Sequence, residues 1–165
     1  MVSSSRVLFL CTGNSARSIM AEATLSDLGA GRHIAYSAGS HPTGSPHPMA
    51  LQVLAEQGHP AGGLRSKSWD EFAVAGAPDL DLVVTVCDNA RDESCPVWPG
   101  GPMAVHWGVE DPASFQGGEA AQHEAFVRVY GVLRKRVEGL LALDVSTLDR
   151  DSLQQAIQAL SQVVD

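Results

Sequence analysis

Short apolar runs alternate along this chain with longer segments in which apolar residues recur every three or four positions. The runs predict strands at Arg6–Leu10, His33–Ser37, Asp81–Val86 and Met103–Trp107. The periodic segments predict helices at Ser15–Leu28, Pro48–Gln57, Trp69–Ala75 and Glu119–Leu143. This alternation predicts an α/β fold, a four-stranded parallel sheet with helices on both faces. Sheets of that kind carry their functional residues at the carboxyl ends of the strands.

One more amphipathic segment follows the predicted sheet. After Asp151-Ser152 the apolar positions of 144–165 again have helical spacing, at Leu153, Ile157 and Leu160. We therefore divide the chain into a domain over 1–143 and a C-terminal helical extension over 144–165. The extension could dock on the sheet domain, cap it or bind a partner, and its pattern favours none of the three.

Composition and charge narrow the classes of function. A chain of 165 residues, 44% of them hydrophobic, is long enough for one globular domain with a substantial core. The net charge is −8 and the 11 lysines and arginines are scattered, which argues against a nucleic-acid or acidic-membrane partner. No apolar run approaches the roughly 18 residues that span a bilayer, and the first residues lack a signal-peptide pattern. We therefore expect a cytoplasmic protein.

A cysteine and a polar, glycine-containing loop stand between the first strand and the first helix. Cys11 ends the strand, and Thr12-Gly13-Asn14-Ser15-Ala16-Arg17-Ser18 leads into the helix. Such a loop offers unpaired N–H donors and the positive end of the helix dipole, which bind a tetrahedral oxyanion. Arg17 can hold two anion oxygens with its planar guanidinium, and Ser18 can donate a hydrogen bond to the sulfur.

We interpret Cys11 as a nucleophile at the bottom of an oxyanion-binding loop formed by residues 12–17. The same field favours the thiolate, so its pKa is expected below the ordinary value of about 8.5. The alternative is that Cys11 is a small buried hydrophobe at a strand end. That reading leaves Gly13, Asn14, Arg17 and Ser18 unexplained.

Two further cysteines are placed to reach the first. Cys87 follows the predicted strand Asp81–Val86, so its sulfur is expected at the same sheet edge as that of Cys11. Cys95 comes eight residues later, across a polar segment rich in residues that break regular structure. Thiols that can meet favour a redox relay by thiol–disulfide exchange. The alternative is a buried strand-end Cys87 and an incidental Cys95.

A zinc site is disfavoured by the spacing of the same cysteines. Cys87 and Cys95 are eight apart rather than two to four, and no histidine pair of ligand spacing accompanies them. The histidines are instead expected at the surface or in loops: His41, His47, His59, His106 and His123.

A candidate general acid follows the fourth strand. Asp111 precedes Pro112, which restricts it to an extended conformation and so directs its side chain. A carboxyl group at this edge could protonate an oxygen that leaves the bound anion. The alternative is a plain Asp-Pro turn. The neighbouring Glu110 is the weaker candidate.

These blocks resemble the low-molecular-weight protein tyrosine phosphatase superfamily, and most closely its arsenate reductase branch. The resemblance begins with Cys11–Ser18 and Met20-Ala21-Glu22. It continues in Tyr36-Ser37-Ala38-Gly39, in Val83–Asp88 with Cys95-Pro96, and in Asp111-Pro112-Ala113. It covers about Arg6 to Leu143 and leaves the extension without a counterpart.

The resemblance implies an enzyme that reduces arsenate to arsenite in arsenic detoxification, with phosphate or sulfate as competing oxyanions. Cys11 would attack arsenate while Arg17 and the loop hold its oxygens, and Asp111 would protonate the leaving hydroxide. Cys87 would then attack Cys11 and release arsenite, and Cys95 would attack Cys87. No tightly bound cofactor is implied. Thioredoxin, or glutaredoxin with glutathione, would supply the reducing equivalents.

The resemblance also implies a structural potassium ion held by Asn14, Glu22 and Ser37. Two departures from the branch are visible. Ala16 replaces a cysteine usually found in the loop, which should leave attack by Cys11 intact. The separation of Cys87 and Cys95 is one residue longer than in thioredoxin-coupled relatives, which leaves the choice between thioredoxin and glutaredoxin open.

Two other functions compete with this one. A low-molecular-weight protein tyrosine phosphatase would share Cys11, Arg17 and Asp111, but it usually carries an aromatic residue soon after the Asp-Pro pair. Here Ala113-Ser114 come first and Phe115 follows. A non-catalytic oxyanion or redox sensor is the third reading, and the presence of nucleophile, clamp and acid together argues against it.

Overall fold

A computed structural model describes residues 5–87, 98, 101–144 and 147–164 of the chain. Within these residues the strands are β1 (Ser5–Cys11), β2 (His33–Gly39), β3 (Leu82–Thr85) and β4 (Met103–His106). They form one sheet in the order β2-β1-β3-β4, and every pairing is parallel. The predicted four-stranded parallel sheet is confirmed.

Helices pack against this sheet. They are α1 (Arg17–Leu28), α2 (Pro48–Glu56), α3 (Glu119–Ala142) and α4 (Arg150–Ala159), with short 3₁₀ helices at Trp69–Phe72, Pro112–Ser114 and Leu160–Gln162. The first three helices contact one another, α1 also contacts β1 and β2, and α4 contacts β4. The predicted helix Trp69–Ala75 is shorter than expected. The next backbone bond, from Ala77 N–H to the Val74 carbonyl, closes a separate turn in which Gly76 has a φ of 89°.

The core is centred on β1, which has a strand on each side. Val7 to Leu10 are all fully buried, which explains why this strand is a continuous apolar run rather than an alternating one. The ring of Trp107, after β4, packs against that of Phe9 with centroids 6.3 Å apart. Because β1, β3 and β4 are parallel neighbours, the segments that follow them emerge at one edge of the sheet. None of the helices described is both long and apolar enough to cross a membrane. The cytoplasmic location stays a prediction.

His59 lies in the loop after α2, one of the two locations predicted for the histidines, but it is buried rather than at the surface. It is only 5% exposed, and its Nδ1 lies 2.7 Å from an Asp27 carboxylate oxygen. Its Nε2 bonds the hydroxyl of Tyr130, which also accepts a hydrogen bond of 3.1 Å from Arg134 Nη1. This series of hydrogen bonds connects the ends of α1 and α2 to α3. A polar residue buried between helices requires such partners.

We predict that Tyr130→Phe lowers the free energy of unfolding by about 1–3 kcal/mol, because it leaves a buried imidazole nitrogen without its partner. Tyr36→Phe is the matched control, since within the described residues the Tyr36 ring packs on Phe72 and its hydroxyl has no recorded bond. Its effect should stay within about 0.5 kcal/mol. Urea unfolding measures both, and equal effects would contradict the role given to His59.

Candidate active site

The loop between β1 and α1 is held from outside by its carbonyl groups. The Thr12 carbonyl accepts from His41 N–H at 2.9 Å, that of Gly13 from Thr43 N–H at 3.0 Å, and that of Ser15 from His47 N–H at 2.8 Å. In a trans peptide the N–H points opposite to the carbonyl. The N–H groups that follow these carbonyls, those of Gly13, Asn14 and Ala16, therefore face the inside of the loop. This is the arrangement that an oxyanion requires.

Asn14 holds the loop in shape. It is fully buried and has a φ of 45°, in the left-handed region that asparagine tolerates better than most residues. Its Nδ2 donates to Ser18 Oγ at 2.8 Å, and its Oδ1 accepts from Lys67 N–H at 2.8 Å. The side chain thus joins the start of α1 to a segment far along the chain.

Gly39, at the end of β2, allows the loop to lie against the sheet. A Cβ atom there would stand 2.4 Å from the Thr12 carbonyl oxygen and 2.8 Å from that of Cys11. Backbone atoms cannot shift by that much without moving the loop, so only glycine fits. The glycine was part of the block Tyr36–Gly39, but its steric reason becomes visible only in the structure.

Ser18 is hydrogen-bonded to Cys11, the predicted nucleophile. Its Oγ lies 2.9 Å from the Sγ of Cys11. The Nδ2 group of Asn14 can only donate, so Ser18 Oγ accepts there and keeps its own hydrogen for the sulfur. A hydroxyl that donates to sulfur stabilises the thiolate.

The pKa of Cys11 corrects the sequence prediction. Burial raises the pKa of this thiol, the hydrogen bonds from Ser18 lower it, nearby Cys87 raises it and the Arg17 charge lowers it. The net direction is upward, whereas the sequence predicted a lowered value. The reason is that Cys11 is 3% exposed, so the thiolate loses most of its hydration.

Arg17 connects the loop to the segment after β4. Its Nη1 donates to the Val109 carbonyl at 3.0 Å, and its Nη2 lies 3.9 Å from Asp111 Oδ2. Asp111 is extended, as predicted for a residue before proline, and its Oδ1 accepts from Ala113 N–H at 3.0 Å. The structure therefore brings the predicted clamp and the predicted acid together. Glu110 bonds Arg128 at 2.8 Å instead.

The structure places Cys87 beside the loop, as its position after β3 predicted. It is buried and unpaired, and its Sγ lies 3.7 Å from Thr12 Oγ1. Thr12 directly follows Cys11 in the chain, so this contact places the Cys87 side chain at the start of the loop. Cys95, the third predicted thiol, lies outside the described residues.

The three residues predicted to hold potassium all contact Lys67. Ser37 Oγ donates to Glu22 Oε1, and Lys67 Nζ donates to the Ser37 carbonyl at 2.8 Å and lies 3.9 Å from Glu22 Oε1. Asn14 Oδ1 is occupied by the Lys67 N–H. Burial raises the pKa of Glu22 and lowers that of Lys67, and their mutual attraction opposes both shifts. These residues do not fit a potassium ion, because an ammonium already supplies the positive charge.

Sequence reasoning missed Lys67. Its side chain is 8% exposed, and a buried lysine is expected only where it is paired. The residue stands alone in a loop sequence and carries no signal of that burial. Its partner became visible only when the fold brought β2, α1 and this loop together.

The comparisons with known proteins agree with this geometry. The family model described as low molecular weight phosphotyrosine protein phosphatase matches residues 6–156. The chain belongs to this family. It is 36% identical over 132 residues to an arsenate reductase of Halalkalibacterium halodurans, a match that covers 80% of this chain and 91% of the relative. It is 32% identical over 137 residues to a glutaredoxin arsenate reductase of Synechocystis, over 83% and 96% of the two chains.

Solved structures are similar as well. An arsenate reductase in the phosphate binding state has a TM-score of 0.66 and 30% identity, over 84% of this chain and 97% of that one. The thioredoxin-dependent arsenate reductase of Corynebacterium glutamicum has a TM-score of 0.58 and 28% identity, over 82% of this chain and 62% of that one. Among these similar proteins, one sequence relative is named for glutaredoxin and one solved structure for thioredoxin.

We predict that Ser18→Ala slows alkylation of Cys11 by iodoacetamide at pH 8 about tenfold, since a hydrogen bond to a charged group contributes about 1.5 kcal/mol or more. The midpoint of the rate against pH should move upward. Both are measured in a Cys87→Ser/Cys95→Ser background, so that only one thiol reacts. Ser26→Ala, on the exposed side of the same helix, is the control and should change neither.

We predict that Lys67→Met lowers the free energy of unfolding by about 1–3 kcal/mol, because it leaves the partly buried Glu22 carboxylate without its cation. Potassium and sodium salts should act alike on the unmodified protein. Arg65→Met is the control, since Arg65 pairs with Glu71 at the surface and such pairs contribute about 0–1 kcal/mol. A rise in melting temperature specific to potassium in the unmodified protein would refute the assignment.

Proposed function

We propose that the protein is an arsenate reductase, which converts arsenate to arsenite with electrons from its own thiols. The observation that carries this proposal is the second buried thiol beside the nucleophile's loop, Cys87, 3.7 Å from Thr12 Oγ1. Hydrolysis of a phosphate ester needs one nucleophile and no neighbouring thiol, whereas reduction needs a second sulfur to accept the attack. The relatives and solved structures named as arsenate reductases support the same reading.

Arsenate would bind in the loop as phosphate would. The inward N–H groups and the Arg17 guanidinium hold its oxygens, and Asn14 keeps the loop ready without rearrangement. The Cys11 thiolate attacks arsenic, so that a sulfur–arsenic bond forms and an arsenic–oxygen bond breaks. Asp111 gives its proton to the leaving oxygen, which departs as water.

Reduction takes place in the second step. The Cys87 thiolate attacks the sulfur of Cys11, a disulfide forms, and the sulfur–arsenic bond breaks with its electron pair left on arsenic. Arsenic passes from the +5 to the +3 state and leaves as arsenite. The Cys95 thiolate then attacks Cys87, which forms the Cys87–Cys95 disulfide and frees Cys11 for the next turnover.

A dithiol protein would close the cycle. Thioredoxin, or glutaredoxin with glutathione, reduces the last disulfide and supplies the two electrons that arsenic received. Relatives with both named reductants exist, one thioredoxin-dependent and one named for glutaredoxin. No tightly bound cofactor enters these steps.

The test couples arsenate to NADPH oxidation through thioredoxin and its reductase, and in parallel through glutaredoxin, glutathione and glutathione reductase. We predict that Cys87→Ser and Cys95→Ser each reduce arsenate-dependent NADPH oxidation by at least about a hundredfold, because each interrupts the relay. Both should retain hydrolysis of p-nitrophenyl phosphate, and Cys11→Ser should lose both activities. The system that sustains turnover identifies the reductant.

The competing functions give different results in the same experiment. Turnover of phosphotyrosine without arsenate-dependent NADPH oxidation would identify a tyrosine phosphatase. Binding of arsenate without either activity would identify a sensor. Either result would overturn the proposed reductase.

We predict that Asp111→Asn lowers kcat for arsenate reduction about a hundredfold, since an amide cannot give a proton to the leaving oxygen. Glu110→Gln is the matched control, because the neighbouring carboxylate pairs with Arg128 and not with Arg17. Its rate should stay within about twofold of the unmodified protein. Loss of equal size in both variants would remove Asp111 from the acid role.

A further inference from the structure

The C-terminal extension packs along the open side of β4. In α4, Gln154 Nε2 donates to the Ala104 carbonyl at 3.0 Å. Gln158 uses both ends of its amide, since Oε1 accepts from His106 N–H at 2.9 Å and Nε2 donates to the His106 carbonyl at 2.9 Å. One amide side chain thereby satisfies both backbone groups of His106, which separate N–H and C=O groups of a fifth strand would otherwise bond.

The register of β4 explains why these groups were available. Met103 N–H bonds Asp81 and Trp107 N–H bonds Thr85, both toward β3. The alternate residues, Ala104 and His106, therefore direct their backbone groups away from the sheet. Unpaired groups on an edge strand invite another chain to pair with them, and the two glutamines occupy them instead.

Arg136 of α3 connects the extension to the segment that follows β4. It is 3% exposed. Its Nη1 donates to the carbonyls of Trp107 at 2.9 Å and Gly108 at 3.2 Å. Its Nη2 donates to Ser161 and its Nε to Val163, both at 3.0 Å. These recorded partners are backbone carbonyls, so the guanidinium fixes the path of two chain segments.

The segment held by Arg136 leads directly to the active site. Trp107 Nε1 also donates to the Ile157 carbonyl of α4 at 2.9 Å. The extension therefore contacts this segment both directly and through Arg136. Two residues later, the Val109 carbonyl accepts the Arg17 guanidinium at 3.0 Å. Asp111 follows at once. A shift of Trp107 would therefore move both the anchor of Arg17 and the acid.

The packing of the extension on α3 is close. A Cβ atom at Gly139 would stand 2.5 Å from a methyl group of Leu160, whereas one at Gly131 of the same helix would meet nothing within 4 Å. Gly139 thus lets the end of α4 approach the helix that carries Arg136. This contact is independent of the glutamine bonds.

We infer that the C-terminal extension, through its described residues 147–164, and Arg136 position the acid loop, defined as Trp107–Asp111. Arg136 is then a positioning residue for Asp111. The inference rests on the proposed catalytic roles of Cys11, Arg17 and Asp111. In this arrangement α4 covers the sheet edge and holds Trp107, the first residue of the acid loop. Arg136 bonds Trp107 and Gly108, and so fixes the backbone directly before Val109.

The test measures how strongly the rate depends on the leaving group, in the full-length chain. The substrates are p-nitrophenyl phosphate and phenyl phosphate. Phenolate is the poorer leaving group, so hydrolysis of phenyl phosphate depends more strongly on protonation of the leaving oxygen. For Gln154→Ala/Gln158→Ala and for Arg136→Met, we expect the phenyl phosphate rate to fall about tenfold and the p-nitrophenyl phosphate rate about twofold. Gln155→Ala, an exposed glutamine of the same helix, should change neither.

A merely structural role would lower both rates by the same factor, because only the folded fraction would change. An unchanged ratio of the two rates in the folded variants would therefore overturn the inference. In an Asp111→Asn background the same substitutions should have no further effect on the ratio. Because aryl phosphate hydrolysis does not need Cys87 or Cys95, this result is separate from that of the arsenate assay.

Hydrogen exchange gives a second reading that needs no turnover. Amide protection over 107–111 should fall about tenfold in Gln154→Ala/Gln158→Ala and stay unchanged in Gln155→Ala. Gly139→Ala should reduce protection of the same segment, whereas Gly131→Ala should leave it unchanged. Equal protection in all four variants would overturn the inference even if the protein hydrolyses no aryl phosphate.

Discussion

The arrangement of this site depends on one buried side chain, that of Asn14. Its residue adopts a left-handed φ of 45°, and its amide bonds Ser18 on one side and the Lys67 backbone on the other. In the loop shaped by this turn, the carbonyls of Thr12, Gly13 and Ser15 bond residues outside the loop, and the N–H groups that follow them face inward. Asn14 also leaves the Ser18 hydrogen free for the sulfur. A preformed ring of donors costs no rearrangement when an anion binds, which is why such rings serve oxyanion chemistry.

The charges around the loop are balanced within the protein. The thiol of Cys11 is buried, which raises its pKa, while Ser18 and Arg17 oppose that rise. A bound anion would meet the same dipoles and the same guanidinium. Next to the loop, Lys67 neutralises the partly buried Glu22, so this part of the site needs no added cation. The net negative charge of the chain is thus compatible with an anion site, because local donors decide binding at short range.

The extension covers the backbone groups that the edge strand of this parallel sheet leaves unpaired. A sheet with β4 at its edge exposes backbone groups next to the acid loop, and glutamine amides of α4 satisfy them. Arg136 then joins the end of the extension to Trp107 and Gly108. Edge protection and placement of the acid are therefore parts of the same contact surface.

Sequence alone was sufficient for the strands and their direction: a buried apolar run such as Val7–Leu10 predicts a buried strand, and parallel strands place Cys11 and Cys87 at one edge. The motif around Cys11 predicted the clamp, and the Asp111-Pro112 pair after the fourth strand predicted the acid, because these residues are adjacent in the chain or follow strand ends. Local pattern and strand direction determine these features.

Tertiary structure decided the features that depend on which surfaces meet. Four properties follow from contacts between segments distant in the chain. They are the pairing of Lys67 with Glu22, the raised pKa of Cys11, the burial of His59 and the hydrogen bonds of Gln158 to β4. Hydration is lost, and hydrogen bonds are exchanged, only when those segments pack. A pattern of residue types records neither the depth of burial nor the partner, so these properties arise with the folded molecule.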